Sequence, residues 1–233
     1  MPTMYFESDI NLKALEGKCV AMLGYGSQGR GQACNLRDSG LNVVLGLRED
    51  GPSWKQAVSE GWEPMTMAAA VAVADVICMM APDMAQPKIY RDFVEPNIKP
   101  GSTLLFAHGF CIHYGAITVG PETNVVLIAP KGPGRMVRSQ YEEGSGVPGL
   151  VAIHQDATGD TKDLALAYAI GVGGGKGGIL VTNFKDECET DLFGEQVVLC
   201  GGLSELIKHG FDTLVEAGYP AELAYFETCH EVK

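Results

Sequence analysis

The sequence has 233 residues, of which 46% are hydrophobic, and a formal net charge of -12 at pH 7. A chain of this length and composition has enough apolar residues for a packed core, which predicts a globular protein. The strong negative charge excludes sequence-independent binding to nucleic acid or to an anionic membrane surface.

The first residues contain no basic segment followed by an apolar one, so no secretory signal is predicted. The most apolar run, Ala68 to Pro82, is interrupted by Asp75 and is too short to span a bilayer as a helix. Seven cysteines are scattered without a CxxC pair, a pattern typical of reduced thiols. These features predict a cytoplasmic protein that does not enter a membrane.

Short apolar runs alternate with helix-like segments from Cys19 to Asp156. The runs are CVAML, NVVLGL, VADVICMMAP, TLLFAHG, VVLIAPKG and LVAIHQD. Strands that are apolar on both faces belong in a parallel sheet covered by helices on two sides. The pattern therefore predicts a doubly wound α/β fold, and the glycine-rich segment at 171–180 predicts a turn into one more strand. That segment is not a P-loop, because Lys176 is followed by Gly177, where a P-loop needs a Ser or Thr to bind Mg²⁺.

The segment GYGSQG follows the first predicted strand and opens a helix. Gly24, Gly26 and Gly29 have GxGxxG spacing: the first makes the turn, the second lets the backbone approach a pyrophosphate, and the third permits close helix–strand packing. The positive end of the helix favours the anion. We interpret this motif as a dinucleotide site in preference to a purely structural turn.

The second predicted strand ends in GLREDGPSW, where an acidic residue would accept the ribose hydroxyls of NAD. Arg48 occupies that place and, with the hydroxyl of Ser53, favours the 2′-phosphate of NADP(H). Glu49 and Asp50 would repel a phosphate and can accept hydrogen bonds from free hydroxyls. The sequence therefore leaves both NADP(H) and NAD(H) open.

After Asn183, apolar residues recur at helical spacing and strand signals are few. Gly218 suits the end of one helix, and Pro220 suits the first turn of the next. We predict two domains, a dinucleotide-binding domain at 1–182 and a mainly helical domain at 183–233.

The segment KDECETDLFGEQ at 185–196 concentrates negative charge. Glu187, Asp191 and Glu195 recur at four-residue steps, which places them on one face of a helix. Their repulsion must be screened by solvent or compensated by a cation. From the residues alone, a solvated helix face is the commoner explanation.

The segments GYGSQGRGQACNLRDSG, AHGF, APKGPG, ETDLFGEQ and AYFETCHE together resemble ketol-acid reductoisomerase of the short-chain class, in order and over nearly the whole chain. The resemblance implies a Rossmann-type domain followed by a helical domain that is intertwined in the family. It also implies Mg²⁺-dependent alkyl migration in 2-acetolactate or 2-aceto-2-hydroxybutyrate, then reduction by NAD(P)H to a 2,3-dihydroxy acid. This reaction belongs to the biosynthesis of valine, isoleucine and leucine.

The resemblance also implies a set of site residues. It gives His108 a proton-relay or electrostatic role, Lys131 the orientation of a metal-bound water or carboxylate, and Glu187 a hydrogen bond to metal-bound water or a part in proton transfer. The implied ligands of two Mg²⁺ ions are Asp191 and Glu195, with Glu227 and Glu231 from a partner subunit. To Gly24, Gly26, Gly29, Arg48 and Ser53, already predicted as cofactor contacts, the resemblance adds Tyr25, Ser27, Gln28, Asp83, Met84, Ala85, Gln86 and Gly134. From the residues alone, Asp83 and Gln86 can equally cap the helix that follows them.

Two departures from the family stand out. Gly51 occupies a position where many relatives carry a second phosphate-binding serine, and the helical domain of the family continues beyond Lys233 to supply a substrate-binding serine. We therefore expect a partial helical domain and a homodimer or higher oligomer with shared sites. The alternatives are another NAD(P)-dependent hydroxy-acid dehydrogenase and a catalytically silent dinucleotide-binding module.

Overall fold

The computed structural model describes residues 3–10 and 12–232. The chain forms two compact units, Met1–Glu187 and Cys188–Lys233. The first unit contains the sheet, and the second is helical. Among the described residues, no helix has both the length and the apolar character that crossing a membrane requires.

One sheet of nine strands organises the first unit, as far as its residues are described. The strands are β1 Met4–Tyr5, β2 Cys19–Leu23, β3 Asn42–Leu47, β4 Met65–Thr66, β5 Val76–Met79, β6 Thr103–Phe106, β7 Asn124–Pro130, β8 Gly149–Gln155 and β9 Ile179–Val181. Their order in space is β1-β9-β8-β7-β6-β5-β2-β3-β4. The six strands from β2 to β7 run parallel to one another.

Helices cover both faces of this sheet and continue into the second unit. They are α1 Ser27–Asp38, α2 Pro52–Ser59, α3 Met67–Val73, α4 Gln86–Ile89, α5 Phe110–His113, α6 Gly134–Glu142, α7 Thr161–Gly171, α8 Gly174–Gly177, α9 Phe184–Phe193, α10 Gly202–Glu216 and α11 Ala221–Thr228. Short 3₁₀ turns lie at Glu7–Asp9, Leu12–Leu15, Asp83–Ala85 and His230–Val232, and π-helical turns at Tyr90–Val94 and Gly194–Leu199.

The predicted fold class is confirmed. Each face of the sheet has its own buried apolar cluster, one around Leu36 and Tyr168 and the other around Phe106 and Tyr90. The chain winds from β2 to β3 and β4 on one side, then starts again at β5 on the other side of β2. Such a switch point opens a crevice beyond the carboxyl ends of the strands, where α/β sheets bind ligands.

The direction of β8 differs from the parallel arrangement that the sequence predicts. β8 is antiparallel to β7, and Pro130 at the end of β7 pairs with Gly149 at the start of β8. The intervening helix α6 does not cross the sheet. It packs against α1 instead, so closely that a Cβ on Gly31 would lie 2.5 Å from the carbonyl oxygen of Gly134. The chain therefore re-enters the sheet at the same end of the strands at which it left.

Two further details differ from the prediction. The glycine-rich segment does lead into a strand, β9, but it also forms the helical turn α8. In the second unit, the α-helix that carries the acidic residues ends at Phe193, and Glu195 lies in the π-helical turn Gly194–Leu199. The Cys200 amide accordingly donates to the Glu195 carbonyl, five residues earlier, at 2.9 Å. Gly194 weakens the α-helix at that point, because glycine is a poor helix former.

Candidate active site

The glycine turn between β2 and α1 has the geometry of a dinucleotide site. Gly24 adopts a φ of +118°, and a Cβ there would lie 2.7 Å from the carbonyl oxygen of Met80. Only glycine combines that backbone conformation with so close an approach. α1 begins at Ser27, so its first amides point to the open end of the sheet. Such amides can hold the pyrophosphate of a dinucleotide.

A cleft of about 760 Å³ adjoins this turn. Its volume is within the usual range for small-molecule sites, roughly 300–1,000 Å³. The predicted cofactor residues among its lining are Gly24, Arg48, Ser53, Met84 and Ala85. They follow the carboxyl ends of β2, β3 and β5, which is the switch point of the fold. These residues therefore fit a dinucleotide cofactor.

The loop after β3 arranges its charged residues unequally. Glu49 lines the cleft, whereas Asp50, with a φ of +55°, forms the turn and is not among the described lining residues. A Cβ on Gly51 would lie 3.3 Å from Arg48 Nε, so the Arg48 guanidinium lies against the loop backbone. Of the two acids that the sequence sets against a 2′-phosphate, Glu49 is the one that lines the cleft.

The loop after β5 is braced from within. The side chain of Gln86 is 4% exposed, and its Nε2 donates to the Ala81 carbonyl at 2.8 Å and to Asp83 Oδ1 at 3.2 Å. Its Oε1 has no hydrogen-bond partner among the described residues. Gln86 thus holds the loop that presents Met84 and Ala85 to the cleft.

Tyr25 lies in the glycine turn, but its side chain faces inward. Its hydroxyl donates to Glu60 Oε2 at 2.8 Å, and Arg30 Nε donates to the same carboxylate at 2.9 Å. Burial and the Glu60 carboxylate raise the pKa of Tyr25 above its usual range. Only the Tyr25 backbone can approach a cofactor. Glu60 has no sequence signal for this contact, because no local motif links it to a tyrosine so distant along the chain.

The APKGPG loop is packed on the glycine turn. Gln28 Nε2 donates to the Gly132 carbonyl at 2.8 Å. A Cβ on Gly134 would lie 2.1 Å from the carbonyl oxygen of Ser27. Gly134 therefore serves a close backbone approach, and the loop and the turn form one rigid surface at the end of the sheet.

His108, Lys131 and Glu187 come together in the first unit. His108 follows β6, Lys131 follows β7, and Glu187 lies in α9. His108 Nδ1 lies 3.1 Å from Glu187 Oε2, which also accepts the Gly109 amide at 2.8 Å. Lys131 Nζ donates to Glu187 Oε1 at 2.8 Å. Of the three residues with predicted catalytic roles, His108 and Lys131 thus contact the carboxylate of the third, Glu187.

Glu187 is a buried but ionised carboxylate, with 1% of its surface exposed. Burial alone would raise the pKa of Glu187, but hydrogen bonds from His108, Lys131 and the Gly109 amide outweigh burial and lower it. No sequence pattern predicted that the Gly109 amide would donate to Glu187. The cluster can orient an imidazole and an ammonium group for proton transfer and anion binding.

The four predicted metal ligands lie in the second unit. Asp191 is in α9 and Glu195 in the following π-helical turn, where Cys200 Sγ donates to Glu195 Oε2 at 2.7 Å. Glu227 is in α11, and Glu231 is in the last 3₁₀ turn. In the described part of the unit, these four carboxylates are not gathered into one cluster. As oxygen donors they fit the preference of Mg²⁺ for hard ligands.

Comparison with known proteins agrees with this geometry. Residues 14–178 match the family model "Acetohydroxy acid isomeroreductase, NADPH-binding domain", and residues 184–233 match "Ketol-acid reductoisomerase, C-terminal domain". The solved structure of an NADH-preferring ketol-acid reductoisomerase from an uncultured archean superposes with a TM-score of 0.97 and 44% sequence identity. The match covers 99% of this chain and 71% of that chain.

Two more distant structures share the fold alone. One is a semialdehyde dehydrogenase NAD-binding protein from Cupriavidus necator in complex with calcium and NAD, with 22% identity, a TM-score of 0.71, and coverage of 89% and 78% of the two chains. The other is a putative oxidoreductase from Jannaschia sp., with 16% identity, a TM-score of 0.71, and coverage of 92% and 81%. Because both halves of the chain match one family, which a close structural relative represents, the protein belongs to the ketol-acid reductoisomerases and is an NAD(P)H-dependent oxidoreductase.

Proposed function

We propose that this protein converts 2-acetolactate and 2-aceto-2-hydroxybutyrate to 2,3-dihydroxy acids by Mg²⁺-dependent alkyl migration and reduction. One observation carries the proposal. The buried Glu187 carboxylate joins His108 and Lys131 at the carboxyl ends of β6 and β7, on the sheet whose switch point bears the dinucleotide cleft.

The migration requires three coupled changes. The 2-hydroxyl loses its proton, the alkyl group moves with its electron pair from C2 to the adjacent carbonyl carbon, and the new alkoxide gains a proton. We assign proton movement to the imidazole of His108, which Glu187 orients through Nδ1. The ammonium group of Lys131 favours the anionic substrate and is itself held by Glu187.

We infer that Mg²⁺ is held by Asp191 and Glu195, with Glu227 and Glu231 from a second copy of the chain. The donor chemistry supports this assignment, since all four are carboxylates and each pair is separated by about one helical turn. When bound, Mg²⁺ supplies Lewis-acid stabilisation of the negative charge that develops on oxygen.

We infer that NADH is accepted as well as NADPH. Glu49 lines the cleft and can bind free ribose hydroxyls, while Arg48 and Ser53 line it as well and can bind a 2′-phosphate. The 44% identical relative is described as NADH-preferring, which supports the use of NADH. When bound, the reduced cofactor supplies the hydride for the C2 carbonyl of the rearranged acid.

The test is acetolactate-dependent oxidation of NADH and of NADPH, with Mg²⁺ present and with Mg²⁺ chelated. We expect turnover that disappears on chelation and returns with added Mg²⁺. Oxidation of a simple hydroxy acid without added metal would favour the dehydrogenase alternative. Cofactor binding without turnover in the presence of Mg²⁺ would favour the silent dinucleotide-binding module.

A further inference from the structure

A chain of buried hydrogen bonds runs from the core to the glycine turn. Cys78 Sγ donates to the Tyr168 hydroxyl at 3.5 Å, and that hydroxyl donates to Gln32 Oε1 at 2.9 Å. Gln32 Nε2 then donates to Gln28 Oε1 at 3.1 Å, and Gln28 Nε2 donates to the Gly132 carbonyl at 2.8 Å. Cys78, Tyr168 and Gln32 are completely buried.

The chemistry of these groups fixes which atom donates and which accepts in each hydrogen bond of the series. An amide oxygen can only accept and an amide nitrogen can only donate. Once the Tyr168 hydroxyl donates to Gln32 Oε1, Gln32 must present its Nε2 to Gln28. Gln28 must then accept through Oε1 and present its own Nε2 to Gly132, whose carbonyl can only accept. Two amides therefore link the Tyr168 hydroxyl to the APKGPG loop.

The last hydrogen bond of the series, from Gln28 to Gly132, lies where the cofactor and catalytic parts of the site meet. Gln28 is in the first turn of α1, and Gly132 directly follows Lys131. The distance between the loop and the turn that the Gln28 side chain spans cannot shorten, because Gly134 is already in backbone contact with Ser27. The Lys131 amide is also anchored, donating to the Pro148 carbonyl at 2.8 Å.

We propose that Tyr168 and Gln32 are positioning residues for the cofactor turn. Acting through Gln28, they hold the APKGPG loop against the glycine turn. The distance between the Lys131 side chain and the first amides of α1, which would bind the pyrophosphate, is thereby fixed. This inference rests on the proposed function, in which Lys131 acts on a substrate beside the cofactor. The two residues touch neither cofactor nor substrate, so their effect is on geometry.

The variants Tyr168→Phe and Gln32→Met test this role. Each keeps the apolar volume of the original side chain and removes its link in the chain. We expect the dissociation constants of NADH and NADPH, titrated on the protein without substrate, to rise about tenfold. We also expect faster amide hydrogen exchange in the segment 131–134. The control is Asn124→Ala, which removes a buried amide at the opposite end of β7.

We expect the control to lower the melting temperature while leaving cofactor affinity within about twofold of wild type. The proposal is overturned if Tyr168→Phe and Gln32→Met behave like the control, with lower melting temperatures but unchanged affinity and exchange. Binding and exchange need no acetolactate. If wild type does not turn over acetolactate while Tyr168→Phe and Gln32→Met still show these effects, the proposed function is refuted and the positioning role remains supported.

Discussion

Lys131 Nζ donates to Glu187 Oε1 at 2.8 Å, and the carboxylate that receives it is almost completely buried. A buried ion pair that loses one charge leaves the other uncompensated. Glu187 is therefore the residue of the cluster whose charge the other two depend on.

Neutralising that charge should reduce turnover far more than cofactor binding. Glu187→Gln keeps the shape of the side chain but removes the negative charge that orients His108 and Lys131. We expect kcat to fall by about 10²–10⁴, with the dissociation constant of NADH nearly unchanged. Steady-state kinetics and cofactor titration measure the two effects. Glu189→Gln, at an exposed position of the same helix, is the matched control and should retain turnover.

The same carboxylate predicts a dependence of stability on pH. The pKa of Glu187 is lowered in the folded protein from its ordinary value of 4.5. A lowered pKa stabilises the folded state above that ordinary value, and this stabilisation is lost as the pH falls towards the folded pKa. We expect the free energy of unfolding of wild type, minus that of Glu187→Gln, to decrease in denaturant titrations as the pH falls below 4.5. A difference independent of pH would contradict the ionised, paired state.

The unequal placement of Glu49 and Asp50 predicts unequal effects on cofactor choice. Glu49→Gln should weaken NADH binding about tenfold, since a hydrogen bond to a charged acceptor is lost from the cleft. The ratio of kcat/KM for NADPH to that for NADH should rise accordingly. Asp50→Asn is the control, because asparagine tolerates the left-handed turn at this position. Equal shifts in both variants would show that net charge, and not the cleft contact, governs the choice.

Glycines in the second unit make a separate prediction about stability. A Cβ on Gly201 would lie 1.9 Å from the Gln196 carbonyl oxygen, directly after the π-helical turn. Gly201→Ala should therefore cost about 1–3 kcal/mol of unfolding free energy. A Cβ on Gly210, inside α10, would lie 3.5 Å from Thr228 Cγ2, which is ordinary contact. Gly210→Ala should stabilise by about 0.5–1 kcal/mol. Thermal and chemical unfolding of both variants checks the contrast in sign.

The parts of the fold that were predicted from sequence depend on local patterns. CVAML and NVVLGL form β2 and β3 at the predicted residues, because each is an apolar run, fully buried in β2 and buried from Leu45 onward in β3. The glycine turn was equally predictable, since its strand, turn and helix are contiguous. The direction of β8 was not, because no local pattern shows that α6 packs on α1, where Gly31 and Gly134 meet although they are far apart in sequence.

The candidate site divides in the same way. The resemblance assigned roles to His108, Lys131 and Glu187, but the hydrogen bonds that join them needed the structure. Glu60 and Tyr168 had no signal, since each acts on a partner in a distant segment. A pattern within one segment cannot reveal a hydrogen bond between two segments whose spacing the fold alone sets.

The antiparallel return of β8 has a consequence for variation in this protein. Residues 131–148 form a detour from the sheet, a segment between β7 and β8 whose two ends are joined by the hydrogen bond from the Lys131 amide to the Pro148 carbonyl. The length of a closed surface detour has only a small entropic effect on stability. Insertions at the exposed Gly144 and Ser145 would therefore enlarge the detour without shifting the register of β7 and β8. Residues 144–145 are thus the point in this segment where added residues would leave the position of the Lys131 backbone unchanged.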